Sequence, residues 1–223
     1  MTHPTPAETV DRIIRERRTT KLLAEAPLPV APARETVEQL AAAAGWAPFH
    51  KPAARHHQDA GLPSVVPWRL HLLDAPACRK LGEHLLARGD RTKIPRLLGA
   101  ATALVQATWL PNPPRAPHPG LFEPTEENME HIAAAGAAVQ NLLLAATARG
   151  IPTYWSSGGA LRTPDAFAWM GIPAGEILLG AVFLFPAADT GVEPTPGAHR
   201  DRRGAPADWS RWIDLDLTRP PPG

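Results

Sequence analysis

The sequence is short of most features that identify a chemistry by themselves. It has one cysteine, Cys78. That excludes an internal disulfide and any multi-thiolate metal cage, and makes a reducing compartment the default. Charge of either sign is not in excess: 23 Lys and Arg stand against 22 Asp and Glu, for a net of +1. No broad electrostatic footprint for nucleic acid or an acidic membrane surface is therefore expected. No apolar run approaches the roughly 18 residues a membrane span needs. The start, "MTHPTPAETV", lacks the apolar core of a signal peptide, and a soluble, cytoplasmic protein is expected. His50, His56 and His57 have no carboxylate or thiol at ligand spacing, and adjacent histidines rarely converge on one ion, so no metal site is expected. Gly158-Gly159 lacks the G-x-G-x-x-G register of a Rossmann turn. Cys78 reads as a partly buried small residue, not a nucleophile. There is no internal repeat.

What the chain has is proline, 27 residues of it, within a composition that is 44% hydrophobic. That is enough apolar material for a sizeable core, and 223 residues suit one decorated domain. Proline clusters at 111–119 and 219–222 read as a loop and a tail, and 51–66 shows neither helical nor alternating pattern. The loop 109–122 reads equally as a lid over a substrate or as plain surface.

Periodicity predicts helices over 6–18, 34–46, 75–89 and 163–171. Strands are expected at 68–73, within 100–110, at 151–155 and 176–185, and at 212–217 ("WIDLDL") as a final edge. The strongest element is a helix over 126–149, capped by Thr125 and closed by Arg149-Gly150. From Ile132 to Ala148 it is apolar nearly all round, with Gln140 and Asn141 the main exceptions. Such a helix is buried all round, either by other helices or by a second subunit. The interleaving of helices and apolar strands makes the fold α+β or α/β with a mostly covered sheet.

One stretch stands out against the balanced charge: "RERRTTK", residues 15–21. Arg17, Arg18 and Lys21 follow the first helix, where cations complement the helix dipole and need no further purpose. The alternative is an anion site. Arg17 and Arg18 would hold a phosphate, Thr19 would offer its hydroxyl and backbone to a heteroaromatic edge, and Lys21 would lie beside a ring that becomes anionic.

Here the sequence resembles the nitroreductase family of FMN-dependent oxidoreductases. "RRTTK" stands where that family has Arg-Arg-Ser-x-Arg or Lys. "WAPFHK" (46–51) and "VPWRLHLL" (66–73) match its Ala-Pro turn and Gln-Pro-Trp strand entry. "AAVQNLLLAATARGIPTYW", "YWSSGG" and "MGIPAGEILLGAVFLF" match its long helix, Trp turn and last core strand. The likeness runs from about residue 8 to 190 and is strongest to a small single-domain branch with an Ala-Pro-x-His-Lys turn. It implies one FMN-binding domain over 1–223, with 191–223 a C-terminal extension. It also implies an α+β fold with a mostly antiparallel central sheet and a long buried helix at a homodimer interface.

By the same resemblance, Arg17, Arg18, Thr19 and Lys21 would contact FMN. Trp46 and His50 would reach the cofactor of the opposite protomer, and Trp155, Ser156 and Ser157 would line its other side. Arg203, or Arg202, would supply a late basic residue to the phosphate, and "TARG" (147–150) would lie near the nicotinamide nucleotide. The implied activity is hydride transfer from NAD(P)H through FMN to a nitroaromatic, quinone or similar small-molecule acceptor, with no side-chain base required. A flavin-sequestering protein and a metabolite dehydrogenase using oxygen are the rivals. Three departures bear on the cofactor edge: about ten extra residues in 51–66, Pro52 and Val66 in place of the family's Asn and Gln, and Ser156 where this branch often has Arg.

Overall fold

The computed structural model describes residues 4–28, 34–117, 119–187 and 190–213. Its centre is a four-stranded antiparallel sheet in the order β2-β3-β5-β4, made of β2 (Trp68–Asp74), β3 (Ala103–Trp109), β4 (Thr153–Ser156) and β5 (Ile177–Leu184). All seven residues of β3 are buried, as a strand covered on both faces must be. Alternation sorts them. Ala103, Val105 and Ala107, with Val182 and Leu184 of β5, meet α2 (Arg34–Ala44) and α6 (Glu126–Ala148) through Leu40, Ala138 and Leu142. Leu104, with Ala181 and Phe183, meets α4 (Ala75–Ala87) and α5 (Ile94–Ala100) through Cys78, Leu81, Leu97 and Leu98. The β3–β5 register steps from Ala107↔Gly180 to Thr108↔Leu178, so Leu179 forms a bulge. The α+β architecture with a mostly antiparallel sheet is as expected.

Several boundaries differ from the pattern reading. The first helix, α1 (Pro6–Glu16), stops two residues early because Arg17 takes ψ 119 and leaves the helix as its C-cap. Its start is fixed by a reciprocal box between Thr5 and Glu8. The irregular stretch 51–66 holds a short helix, α3 (Arg55–Asp59), too short for a readable period. The helix α5, with Pro95 in its first turn, also went unseen: its residues are buried nearly all round, so no amphipathic stripe marks it. The run 164–170 forms α7 (Pro164–Met170), closed by Gly171 at φ 67. The expected strand at 212–217 is not formed at Trp212 and Ile213, and its remainder lies outside the described residues.

Helix α6 corrects one expectation. By length and composition it is apolar enough to cross a membrane, contrary to the reading that no run is. It serves instead as the core helix, and its buried residues recur at helical spacing: Asn128, His131, Ala134, Ala135, Ala138, Val139, Leu142, Leu143 and Ala146. Of the two alternatives for its covering, its own chain does not enclose it all round. Ile132, Gly136, Ala137, Leu144 and Ala145 stay half-exposed and Ala133 is exposed. Helix α1 touches α6 yet has no buried residue and leaves Val10 and Ile14 about half open.

Candidate functional site: a cation-lined cleft beside the sheet edge

After α1 the chain runs extended. Thr19 forms a parallel bridge with Thr153 of β4, and β1 (Thr20–Lys21) pairs antiparallel with β6 (Thr195–Pro196). The segment carrying Arg17 to Lys21 is thus held between the sheet edge and the returning C-terminal extension. Gly197 makes the close approach possible: its N–H donates to Thr19 O at 2.9 Å, and a Cβ there would lie 3.0 Å from Thr19 Cβ.

This arrangement frames a cleft of about 1120 Å3. Its walls include Arg17, Arg18, Thr19 and Lys21 from the first segment, Tyr154 and Trp155 from β4, and His199, Arg200, Asp201 and Arg203 from the extension. A smaller recess of about 260 Å3 adjoins it, sharing Arg17, Thr19 and Trp155 and adding Thr153, Gln140 and Leu143. Five cations thus face one carboxylate, Asp201, in one concavity. Arg200 has work of its own: it donates to Arg17 O at 3.1 Å and to Arg15 O. It thereby satisfies carbonyls left open at the end of α1. Half-buried Arg17 is held below the ordinary arginine value, first by desolvation, then by repulsion from Arg203 and Arg200. A guanidinium remains charged regardless, so the strain falls on the cluster, and an anion between the arginines relieves it.

Trp155 lies across β5 at Gly180. A Cβ on Gly180 would fall 2.0 Å from Trp155 Nε1 and 2.9 Å from Ser156 O. The indole is about a third exposed in the cleft wall.

Of the residues singled out in the sequence, Arg17, Arg18, Thr19, Lys21, Trp155 and Arg203 come together here. Ser156 and Ser157 follow in the chain, but their polar atoms turn to the local bend. Buried Ser156 accepts from Gly158 N–H through Oγ at 3.2 Å, and Ser157 O accepts from Arg162 Nε. Trp46 and His50 lie outside the cleft. Trp46 is 88% exposed, and His50 Nδ1 lies 3.1 Å from Glu130 of α6. Arg202 does not line the cleft, whereas Arg200 and Tyr154 do, and Gln140 lines the adjoining recess. A signal for Gln140 was present, since it is one of two polar breaks in the apolar helix. For Arg200 there was none, because four basic residues between His199 and Arg203 are equivalent without coordinates.

The extra residues of 51–66 have an anchor that the sequence did not reveal. Arg69 of β2, 3% exposed, donates to the carbonyls of Leu62, Ser64, Val66 and Trp68 at 2.7–2.9 Å. His57, buried in α3, donates Nε2–H to Pro111 O at 2.8 Å, which ties this loop to the proline-rich one. Among the described residues, no group of His, Cys, Asp and Glu is arranged to hold a metal.

The fold is α+β on a covered antiparallel sheet, with five cations and one carboxylate lining a large cleft at its edge. Comparison with known proteins narrows this. The nitroreductase family model matches residues 14–184, and the chain belongs to the nitroreductase family, a family of oxidoreductases. Curated protein sequences give no match. Solved structures share the fold. A nitroreductase-like family protein from Bacillus cereus aligns over 96% of this chain and 100% of its own, at 22% identity and TM-score 0.64. The nitroreductase from Lactococcus lactis solved with nicotinic acid aligns over 92% and 99%, at 14% identity and TM-score 0.59. A nitroreductase with bound FMN from Desulfitobacterium hafniense aligns over 96% and 100%, at 17% identity and TM-score 0.54.

Proposed function

We propose that this chain is an FMN-dependent oxidoreductase that draws reducing equivalents from NAD(P)H and delivers them to a nitroaromatic, quinone or similar acceptor. The observation that carries this reading is the convergence of Arg17, Arg18, Lys21, Arg200 and Arg203 on one cleft with a single carboxylate. A dianionic phosphate matches that excess, and guanidinium forks bind it in paired contacts. FMN bound in a related solved structure lends support. Bound FMN supplies the ring chemistry of hydride acceptance and onward electron transfer. The protein's part is positional. Arg17, Arg18 and Arg203 hold the phosphate, with Arg200 fixing the helix end that presents Arg17. Thr19 offers its hydroxyl to the ring edge, Lys21 places positive charge where the reduced ring is acidic, and Trp155 forms a wall. Ser156 and Ser157 stay with this site through their backbone.

The working form is a homodimer in this reading. Helix α6 leaves Ile132, Ala133, Ala137 and Leu144 open to differing degrees, and α1, which touches it, leaves Val10 and Ile14 exposed; apolar surface of this kind favours an interface. Exposed Trp46 and His50 are then contributions to the opposite protomer's cleft. Donor and acceptor use one ring face in turn, so the kinetics are ping-pong.

The purified protein should be yellow, bleach with NADPH or NADH and regain colour with menadione. Retained flavin that neither donor bleaches would indicate sequestration instead. The Arg17→Ala, Arg18→Ala double variant should stay folded and lose its flavin; unchanged flavin content would refute the phosphate assignment. Sedimentation giving a monomer mass would remove the dimer.

A further inference from the structure

A second large cleft, of about 1010 Å3, opens at the opposite edge of the sheet, between β2, α4 and α7. Its walls include Leu70, Leu73 and Leu81 as apolar surface, with His71, Lys80 and Trp169 set among them. The polar side chains here are organised. His71 Nε2 donates to Glu176 Oε2 at 2.8 Å, and the hydroxyl of fully buried Thr108 donates to the same oxygen. Glu176 is 7% exposed, so its charge is held by these two groups and by the field of Arg69 behind it. A histidine that gives one ring proton to a buried carboxylate has its tautomer fixed, which leaves the other nitrogen as an acceptor. Nδ1 of His71 has no hydrogen-bond partner among the described residues, and the ring lines the cleft.

The opposite wall is aromatic. Trp169 stands edge-to-face with His84, centroids 4.4 Å apart, and Arg88 lies 5.3 Å from the indole centroid. The remaining charges on the cleft are Lys80 and Glu83 of α4. Lys80 has no ion pair among the described residues. Their opposite signs disfavour a permanent multiple anion, and the base of His71 calls for a ligand bringing its own proton.

We propose that this cleft is a second binding site, for an aromatic ligand carrying a weakly acidic hydroxyl. The ring packs against Trp169 and the leucines, and the hydroxyl meets His71. The ligand's O–H bond breaks heterolytically and its proton passes to Nδ1. The resulting imidazolium is paired with Glu176, and the phenolate faces Lys80. No electrons move, and no part of the proposal depends on the flavin reading.

The test uses full-length protein without electron donor, and 4-nitrophenol as the probe, followed by equilibrium dialysis and the phenolate absorbance band. Binding should saturate, with the phenolate-to-phenol ratio of bound probe raised about tenfold over free probe at one pH, the scale of a nearby opposite charge. Trp169→Leu, at an exposed position, should fold and lose about tenfold in affinity. His71→Phe should still bind but lose the enhanced ionisation. Absence of saturable binding, or binding that ignores both substitutions, overturns the site. Slow hydrogen exchange without probe at those amides of 70–73 that do not bond to β3 also overturns it, by showing another chain seated along the strand edge.

Discussion

Arg69 carries the most exposed wager in the fold, although it is itself buried. Replacing it with methionine keeps the stem and removes the guanidinium. Four donor contacts to carbonyls disappear, all at 2.7–2.9 Å. At about 1.5 kcal/mol for each charge-assisted bond, their sum is about 6 kcal/mol. Against this stands the several kcal/mol that desolvating a cation costs, seen in the depression of its pKa by burial. The net loss should be about 3 kcal/mol, or about 6–12 °C in Tm for a chain of this size. Urea unfolding followed by circular dichroism, at one fixed protein concentration because assembly couples to stability, measures it. Exchange at the amides of 61–66 should rise by more than in the sheet, since those residues lose their tether first. A stability within about 0.5 kcal/mol of the parent, with 61–66 still protected, would show that the loop holds itself and that the guanidinium is incidental.

Other consequences follow from single contacts. Gly180→Ala sets a methyl where Trp155 Nε1 and Ser156 O already lie, so the indole must leave its place. Flavin retention should fall at least tenfold with the far-ultraviolet dichroism unchanged, and a normal cofactor load would show Trp155 to be a bystander. The Cys78 thiol is pushed up to about 12, chiefly by burial, so a disulfide-exchange reagent should leave it unmodified in the native protein near neutral pH and titrate one thiol after denaturation. Desolvation holds His57 below the usual imidazole range. The unfolded chain therefore takes up that proton first as pH falls, and stability that is full above about pH 6.5 declines through it towards the lower folded value. In His57→Gln this part of the acid slope should vanish; an unaltered slope would place the titrating group elsewhere.

Much of this molecule was legible because local and global signals agreed. The apolar runs at β3 and β5 read as covered strands, and Thr125 and Thr163 cap α6 and α7 where the pattern starts them. Arg17 and Arg18 were noticed because positive charge clusters at the end of a helix in a chain whose charges otherwise balance. What stayed hidden was set by tertiary contact alone. Arg69 reads as a surface position in an alternating strand, yet it is buried because the inserted loop turns its carbonyls inward. His71 and Glu176 are 105 residues apart, and no spacing rule joins them. Arg200 differs from Arg202 and Arg203 only in where a short 3-10 turn points it.

The same distinction applies to α6, whose apolar pattern left open whether other helices or a second subunit covers it. A uniformly apolar helix reports that both of its faces avoid water, but it says nothing about which chain covers each face. The residues that meet the sheet recur with helical spacing. The remainder is small, with Gly136, Ala133 and Ala137 in its middle, and the apolar stripe of α1 lies open beside it. Val10→Glu with Ile14→Glu separates the two sources of burial. Neither residue is in this protomer's core, so the charges should leave the folded protomer nearly intact. An apolar contact between protomers would be lost, and with it the sites of Trp46 and His50. Sedimentation should then show monomers that have released flavin; a dimer of unchanged mass would mean that this surface meets only water.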